Sequence, residues 1–253
     1  MLVDRNESTF IDFPNYSGFQ IQPNAPTIQS EVEKALNVLF RQSFELTGAS
    51  RTDAGVHALQ NFFHFDAAAS IQKHHIYNLN AILPYDIVVK GIYTVPETAH
   101  SRFDAAQRSY KYVIYQQKNP FLHQKGWYYP FKINVELLHQ AASIIKEYQD
   151  FTSFSKRNTQ VKTFICNLNT SLWMIESGSI VYTVSANRFL RGMVRALVST
   201  MLKVGRGSIT PQDFRSIIEK KDCTFADFSA PPHGLFLTEV FYTNLQYALT
   251  PVL

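Results

Sequence analysis

The stretch Arg188 to Val204, RFLRGMVRALVSTMLKV, constrains this chain more than any other. At roughly 100° per residue, Leu190, Met193, Val194, Leu197, Met201 and Val204 share one face, which predicts a long helix seated on a core. Arg188, Arg191 and Arg195 recur at spacings of three and four and gather on another face, either solvated or turned to an anion. Gly205 follows directly and is expected to close the helix in the left-handed conformation.

Other segments alternate between helical and strand patterns. Thr27 to Phe40 reads as a helix: Thr27 is its cap, Ser30 and Glu31 sit in the first turn, and Ile28, Val32, Ala35, Leu36 and Leu39 form the apolar side. Helices are also expected around Ile71 to Leu79 and over Val135 to Tyr148. Strands fit Leu59 to Asp66, Ile87 to Tyr93, Arg108 to Tyr115 and Ile180 to Ser185. Short hairpin-length gaps mixed with longer helical excursions favour an α+β fold of two halves with antiparallel sheet. The boundary is expected near Phe103 to Gln107, giving halves of 1–105 and 106–253. No repeat or low-complexity tract interrupts this plan.

At 253 residues and 45% hydrophobic, the chain is long enough to bury a substantial core. No apolar run approaches the roughly 20 residues of a membrane span, and MLVDRNESTF lacks the pattern of a secretion signal, so a cytoplasmic protein without a membrane partner is expected. Cys166 and Cys223 stand far apart, outside any CxxC spacing, and read as buried reduced thiols. The net charge of +4 is unevenly spread: residues 105–212 hold fourteen Lys and Arg against four acids, a local +10, leaving −6 elsewhere. Three intervals within that tract, 105–135, 151–175 and 177–212, contain no acid. Such asymmetry fits a surface that meets a polyanion or a solvated basic face; the twenty Phe and thirteen Tyr tilt it toward unpaired nucleic-acid bases.

Between two apolar segments lies GASRTDAGVHA, residues 48–58. Asp and Gly are ordinary turn residues. Arg51, two positions before Asp53, adds another reading, because a nearby guanidinium keeps a partly buried carboxylate ionised and ready to act as nucleophile or base. No GxxxxGK[ST] loop, GxGxxG turn, HExxH or GxSxG elbow occurs, so neither a nucleotide cofactor nor a metal is expected. His74 and His75 are adjacent rather than at ligand spacing, while His57 and His233, beside glycines, read as loop hydrogen-bonders.

In this setting ASRTDAGVHA resembles the catalytic loop of the tRNA pseudouridine synthase A family, usually AGRTDAGVHA. Further blocks resemble that family in order: GFQIQPNAPTIQSEVEKAL, HSRFDAAQRSYKYVIY, DFTSFSK, RFLRGMVRALVSTMLKVGRG and APPHGLFL, spanning about residues 16–242. The resemblance implies Asp53 as catalytic carboxylate, Tyr110 as active-site tyrosine and Arg195 as the cation paired with the aspartate. It makes Arg51 the loop residue that fills space vacated by an extruded base, and leaves Arg188 and Arg191 for phosphates or structure. It further implies two ferredoxin-like (RRM-like) halves with joined antiparallel sheets, flanking helices and an active cleft between them. The implied activity is cofactor-free isomerisation of uridine to pseudouridine at nucleotides 38, 39 and 40 of the tRNA anticodon stem-loop, by a homodimer. Three departures stand out: Phe19 where Trp is usual, with no Asp-Gly pair before it; Ser50 in place of glycine; and Ala196 where Asn commonly follows the MVR run. The competing expectations are a non-catalytic RNA-binding module of the same fold and a carboxylate-nucleophile hydrolase, the latter wanting a second carboxylate or a metal near the first.

Overall fold

The computed structural model describes residues 16–67, 71–157, 159, 161–243 and 250–251. Residues 1–15, and with them the STFIDFPN stretch, lie outside the described residues, as does most of the Ala-rich run ending at 70. The architecture is α+β, and the chain divides into two compact units. One is drawn from residues up to Ala106 together with those from Phe236 on; the other is Gln107–Leu235. The chain from Phe236 on thus clusters with the first unit, although it follows the expected boundary near Phe103 to Gln107.

In the first unit α1 (Ile28–Phe40) begins where expected: Thr27 is extended, its side chain accepts from the Ser30 N–H, and the Ser30 hydroxyl accepts from the Thr27 N–H. This reciprocal cap satisfies two orphan donors of the first turn. Ile28, Val32, Ala35 and Leu36 are buried, and α1 packs on α2 (His74–Ile82) with the ring of Phe40 edge-on to His75. The sheet here is made of very short pieces. β1 (Thr47–Gly48) pairs antiparallel with β3 (Phe63–His64), β2 (His57–Ala58) runs parallel to the later β9 (Leu235–Phe241), and β4 (Tyr93–Thr94) pairs antiparallel with β10 (Thr250–Pro251). The strands expected over Leu59 to Asp66 and Ile87 to Tyr93 therefore shrink to two residues each, β3 and β4. Side chains take over the missing ladder: Asn80 donates to Val89 O and accepts from its N–H, while Gln60 accepts from the Val240 N–H. Apolar composition marked these segments as buried, and they are, but burial alone does not specify strand pairing.

The second unit is more regular. β5 (Gln107–Tyr115), β8 (Ser179–Ala186) and β7 (Leu168–Glu176) form an antiparallel meander with β8 central; β6 (Trp127–Tyr128) adds in parallel to β5. The central strand is buried along nearly its whole length, whereas β7 alternates. Tyr182 faces Tyr112 on one side and Trp173 on the other, and all three rings are fully buried. Three helices complete the unit: α3 (Val135–Ile144), α4 (Met193–Gly205) and α5 (Pro211–Glu219), with α3 against both α4 and β7. Asn134 caps α3 by accepting from the Glu136 and Leu137 N–H groups, and past Ile144 the chain tightens into a 3-10 turn, so the helix ends earlier than its apolar pattern.

The arginine-bearing helix departs from its sequence reading at both ends. α4 starts at Met193, because Gly192 adopts φ +77° and breaks the helical path, so Arg188 and Arg191 lie in the preceding turn and not on a helix face. At the other end Gly205 is the last helical residue and not a left-handed cap; that conformation falls to Gly207, φ +71°. Gly205 is required for closeness: a Cβ there would stand 2.7 Å from a Leu138 methyl on α3. Cys166 is buried as expected, with burial pushing its thiol up to about 11, while Cys223 is partly exposed. No helix among the described residues is long and apolar enough to cross a membrane.

Candidate active site

The loop carrying Asp53 is held by backbone contacts from three directions. Val56 N–H donates to Asp53 O across a tight turn that Gly55 makes with φ +76°. The Phe19 N–H donates to Thr52 O at 3.1 Å, and Asn61 Nδ2 donates to Ser50 O at 3.0 Å. On the far side, Leu59 N–H donates to Leu237 O.

Gly18 is the keystone that sequence reasoning missed. With φ +96° it lies so close that a Cβ would stand 2.8 Å from Thr52 O and 3.2 Å from Ala54 N, on either side of Asp53. Its own carbonyl accepts from the Ile28 N–H and Phe19 O from the Gln29 N–H, so the first turn of α1 grips the segment that grips the loop. Phe19 is buried with its ring over Gly48, where a Cβ would come within 2.3 Å of it. The aromatic departure at position 19 thus retains a packing role. Ser50 needs no left-handed backbone, which answers its substitution for glycine. The hydroxyls of Ser50 and Thr52 are nonetheless buried without a hydrogen-bond partner among the described residues. Each such group costs about 1–3 kcal/mol, a burden carried by the loop that presents Asp53.

Asp53 itself is half-buried, and its carboxylate takes no hydrogen bond or ion pair among the described residues. Arg51 is exposed and likewise unengaged. No salt bridge joins the two, so the expectation that Arg51 keeps Asp53 ionised by direct pairing is not met. His57, read as a loop residue, is instead a buried residue of β2, its ring stacked 4.6 Å from Phe236.

In the second unit, the strand period puts Tyr110, Tyr112 and Ile114 on one face of β5. The Tyr110 ring meets Phe189 edge-on at 5.1 Å, which ties it to the turn bearing Arg188 and exposed Arg191. Arg195 projects from the first turn of α4 and donates from Nε to Ala230 O at 2.6 Å. The same 227–231 segment is bound to α4 again: Ser199 Oγ donates to Asp227 O, Asp227 N–H donates to Thr200 Oγ1, and Lys203 pairs with the Asp227 carboxylate at 3.1 Å. It is bound to β5 as well, through Tyr112 OH donating to Pro231 O. Burial raises the Tyr112 phenol above its ordinary range while the nearby Arg195 charge opposes that rise. Tyr110 and Arg195 therefore belong to one scaffold of strand, helix and strapped segment. Its guanidinium, anchored through Nε, keeps its terminal amino groups unengaged among the described residues.

The part of the chain bearing Arg195 is similar to pseudouridine synthases: residues 148–243, which include β7, β8, α4, α5 and all of β9, match the family model described as tRNA pseudouridine synthase. Over its length the chain is 42% identical to a tRNA pseudouridine synthase A of Azobacteroides pseudotrichonymphae, covering 91% of this chain and 93% of that one. It is 45% identical to the Parabacteroides distasonis protein of that name, over 90% and 91%, and 35% identical to that of Bacillus subtilis, over 90% and 95%. The chain belongs to the tRNA pseudouridine synthase A family, a family of isomerases.

Proposed function

We propose that this chain converts uridine to pseudouridine at nucleotides 38, 39 and 40 of the tRNA anticodon stem-loop, with Asp53 as the catalytic carboxylate. The observation that carries the reading is the clasped loop: Gly18 and Phe19 hold the backbone on both sides of Asp53, yet leave its carboxylate and the Arg51 guanidinium unengaged. A fold that invests this much in holding a carboxylate and gives it no structural partner has kept it for a ligand.

The reaction breaks the N1 to C1′ bond of uridine, turns the uracil, forms a C5 to C1′ bond, and moves the C5 proton off as N1 gains one. Atoms are conserved, so no redox or activated cofactor enters. A stacked base cannot turn, so it leaves the helix at a cost of a few kcal/mol. Arg51 filling the vacated space and Tyr110 packing on the uracil offset part of that cost. Asp53 acts on the sugar carbon, on the ring or as a base, and Arg195 stabilises its charge; Tyr110 assists loss of the C5 proton. On this reading each unit is a ferredoxin-like half, and Asp53, Tyr110 and Arg195 act on the same uridine. Arg188 and Arg191 contact phosphates. The enzyme works in the cytoplasm as a homodimer.

Tritium release from C5-labelled uridine in unmodified tRNA is the decisive assay, since only turnover at C5 frees the label. Release confined to positions 38–40 is expected. A protein that binds tRNA with a steep salt dependence but releases no tritium would instead be the RNA-binding module; cleavage of a small ester without either would favour the hydrolase.

A further inference from the structure

The segment His100–Asp104 in the first unit presents an aromatic ring to solvent from a tightly braced loop. Phe103 is 74% exposed, and the exposed Arg102 sets its guanidinium carbon 5.7 Å from the ring centroid. The His100 ring packs on it as well, with ring centroids 4.2 Å apart and planes tilted by 36°. Solvent exposure of a full phenyl ring forgoes the burial that Phe44, Phe62 and Phe65 obtain in the same unit.

The loop beneath is not loose. His100 Nδ1 accepts from the Arg102 and Phe103 N–H groups, His100 N–H donates to Asp104 Oδ2, and Asp104 N–H returns to His100 O. Ser101, buried under the loop, donates from Oγ to Thr47 O at 2.7 Å, and its N–H donates to His64 Nδ1. Tyr242 OH donates to Ser101 O. Thr47 lies on β1, which runs into the Asp53 loop, so the braced ring and the candidate carboxylate share one rigid support.

We propose that Phe103, flanked by Arg102 and His100, is a stacking platform for a base of the bound tRNA outside the reacting nucleotide. The inference rests on the tRNA-modifying reading above. Three features select a nucleobase. The ring is largely solvent-exposed, and any base can stack on an exposed aromatic surface. The guanidinium beside it adds positive charge next to a base stacked there. The bracing removes the ordering cost that a flexible aromatic would pay on binding.

The test uses the full-length protein, an unmodified tRNA and three substitutions at this exposed position. Phe103→Ala and Phe103→Leu should each weaken tRNA binding by about tenfold or more, seen in KM with kcat nearly unchanged, whereas Phe103→Trp should retain affinity and show fluorescence quenching when tRNA binds. If Leu binds like the native protein, the site is an apolar contact and not a stacking one, and the proposal fails. If Ala also binds like the native protein, the ring contacts no RNA and the proposal fails with tritium release intact, leaving the catalytic reading standing. A native protein that neither binds tRNA nor releases tritium overturns both.

Discussion

The Asp53 loop and the segment from Arg188 to Arg206 hold the two halves of the candidate chemistry by opposite means. Arg195 stands on a helix of which eleven residues are buried, cross-strapped to 227–231 and set beside a meander of long strands. Asp53 stands on a loop flanked by strands of two residues, and its geometry depends on one glycine, one buried ring and a few backbone bonds. A cation can be placed by regular structure because its long side chain reaches and adjusts. A short carboxylate has no such reach, so the backbone itself must be brought to the right place, and only close packing does that.

The sharpest test of this contrast is Asp53→Asn. Tritium release should fall by at least about 10³-fold while tRNA affinity and melting temperature stay at native values, and an Asn variant that still turns over would remove the carboxylate from the chemistry. Gly18→Ala comes next. The left-handed backbone and the 2.8 Å approach to Thr52 O predict about 1–3 kcal/mol of destabilisation. Turnover should drop further than stability does, since the displaced atoms lie on both sides of Asp53. Equal losses in thermal melting and in kcat would mean that the clasp is ordinary packing.

Thr210→Ala probes the opposite region. Removing the capping box at α5, where Thr210 Oγ1 accepts from the Asp213 N–H and Asp213 accepts from the Thr210 N–H, should cost about 1 kcal/mol. Activity at 25 °C should be unaffected, because regular structure absorbs the loss. The smallest effect is on pH. Burial, reinforced by the neighbouring His100, lowers the pKa of His64 from 6.5. The unfolded chain then binds the proton more readily, so this contribution to stability is complete above pH 6.5 and is lost as pH falls below it. Melting temperatures from pH 8 to 5 should decline more steeply for the native protein than for His64→Gln. Parallel curves would show that the Ser101 bond to His64 carries no titrating component.

Regular elements were readable where periodicity and caps agreed. Thr27 with Ser30 announced α1, and the alternation over Arg108 to Tyr115 and Ile180 to Ser185 announced the paired β5 and β8. Three of the longer elements went unread: β7, whose pattern is that of a half-exposed edge; α5, although Thr210, Pro211 and Asp213 spell a helix start; and β9, whose pairing depends on residues far away in the chain. The Asp53 motif stood out through its resemblance to a family, not through periodicity. Gly18 and Phe103 carried no local signal, because a close approach or an exposed ring is a property of neighbours in space.

What the sequence determined by itself is the chemistry on offer: an acid beside a cation in a glycine-bearing loop, a basic tract without acids, and helices whose apolar faces demand a core. These follow from side-chain type and spacing along one chain. Only the tertiary structure decided that Gly192 delays the start of the arginine helix until after Arg191, that Gly205 serves packing and not a turn, and that Gly18 clasps the carboxylate loop. Whether a glycine is needed for its backbone angle or for its missing side chain depends on which atoms fold against it, and those atoms come from distant stretches of the chain.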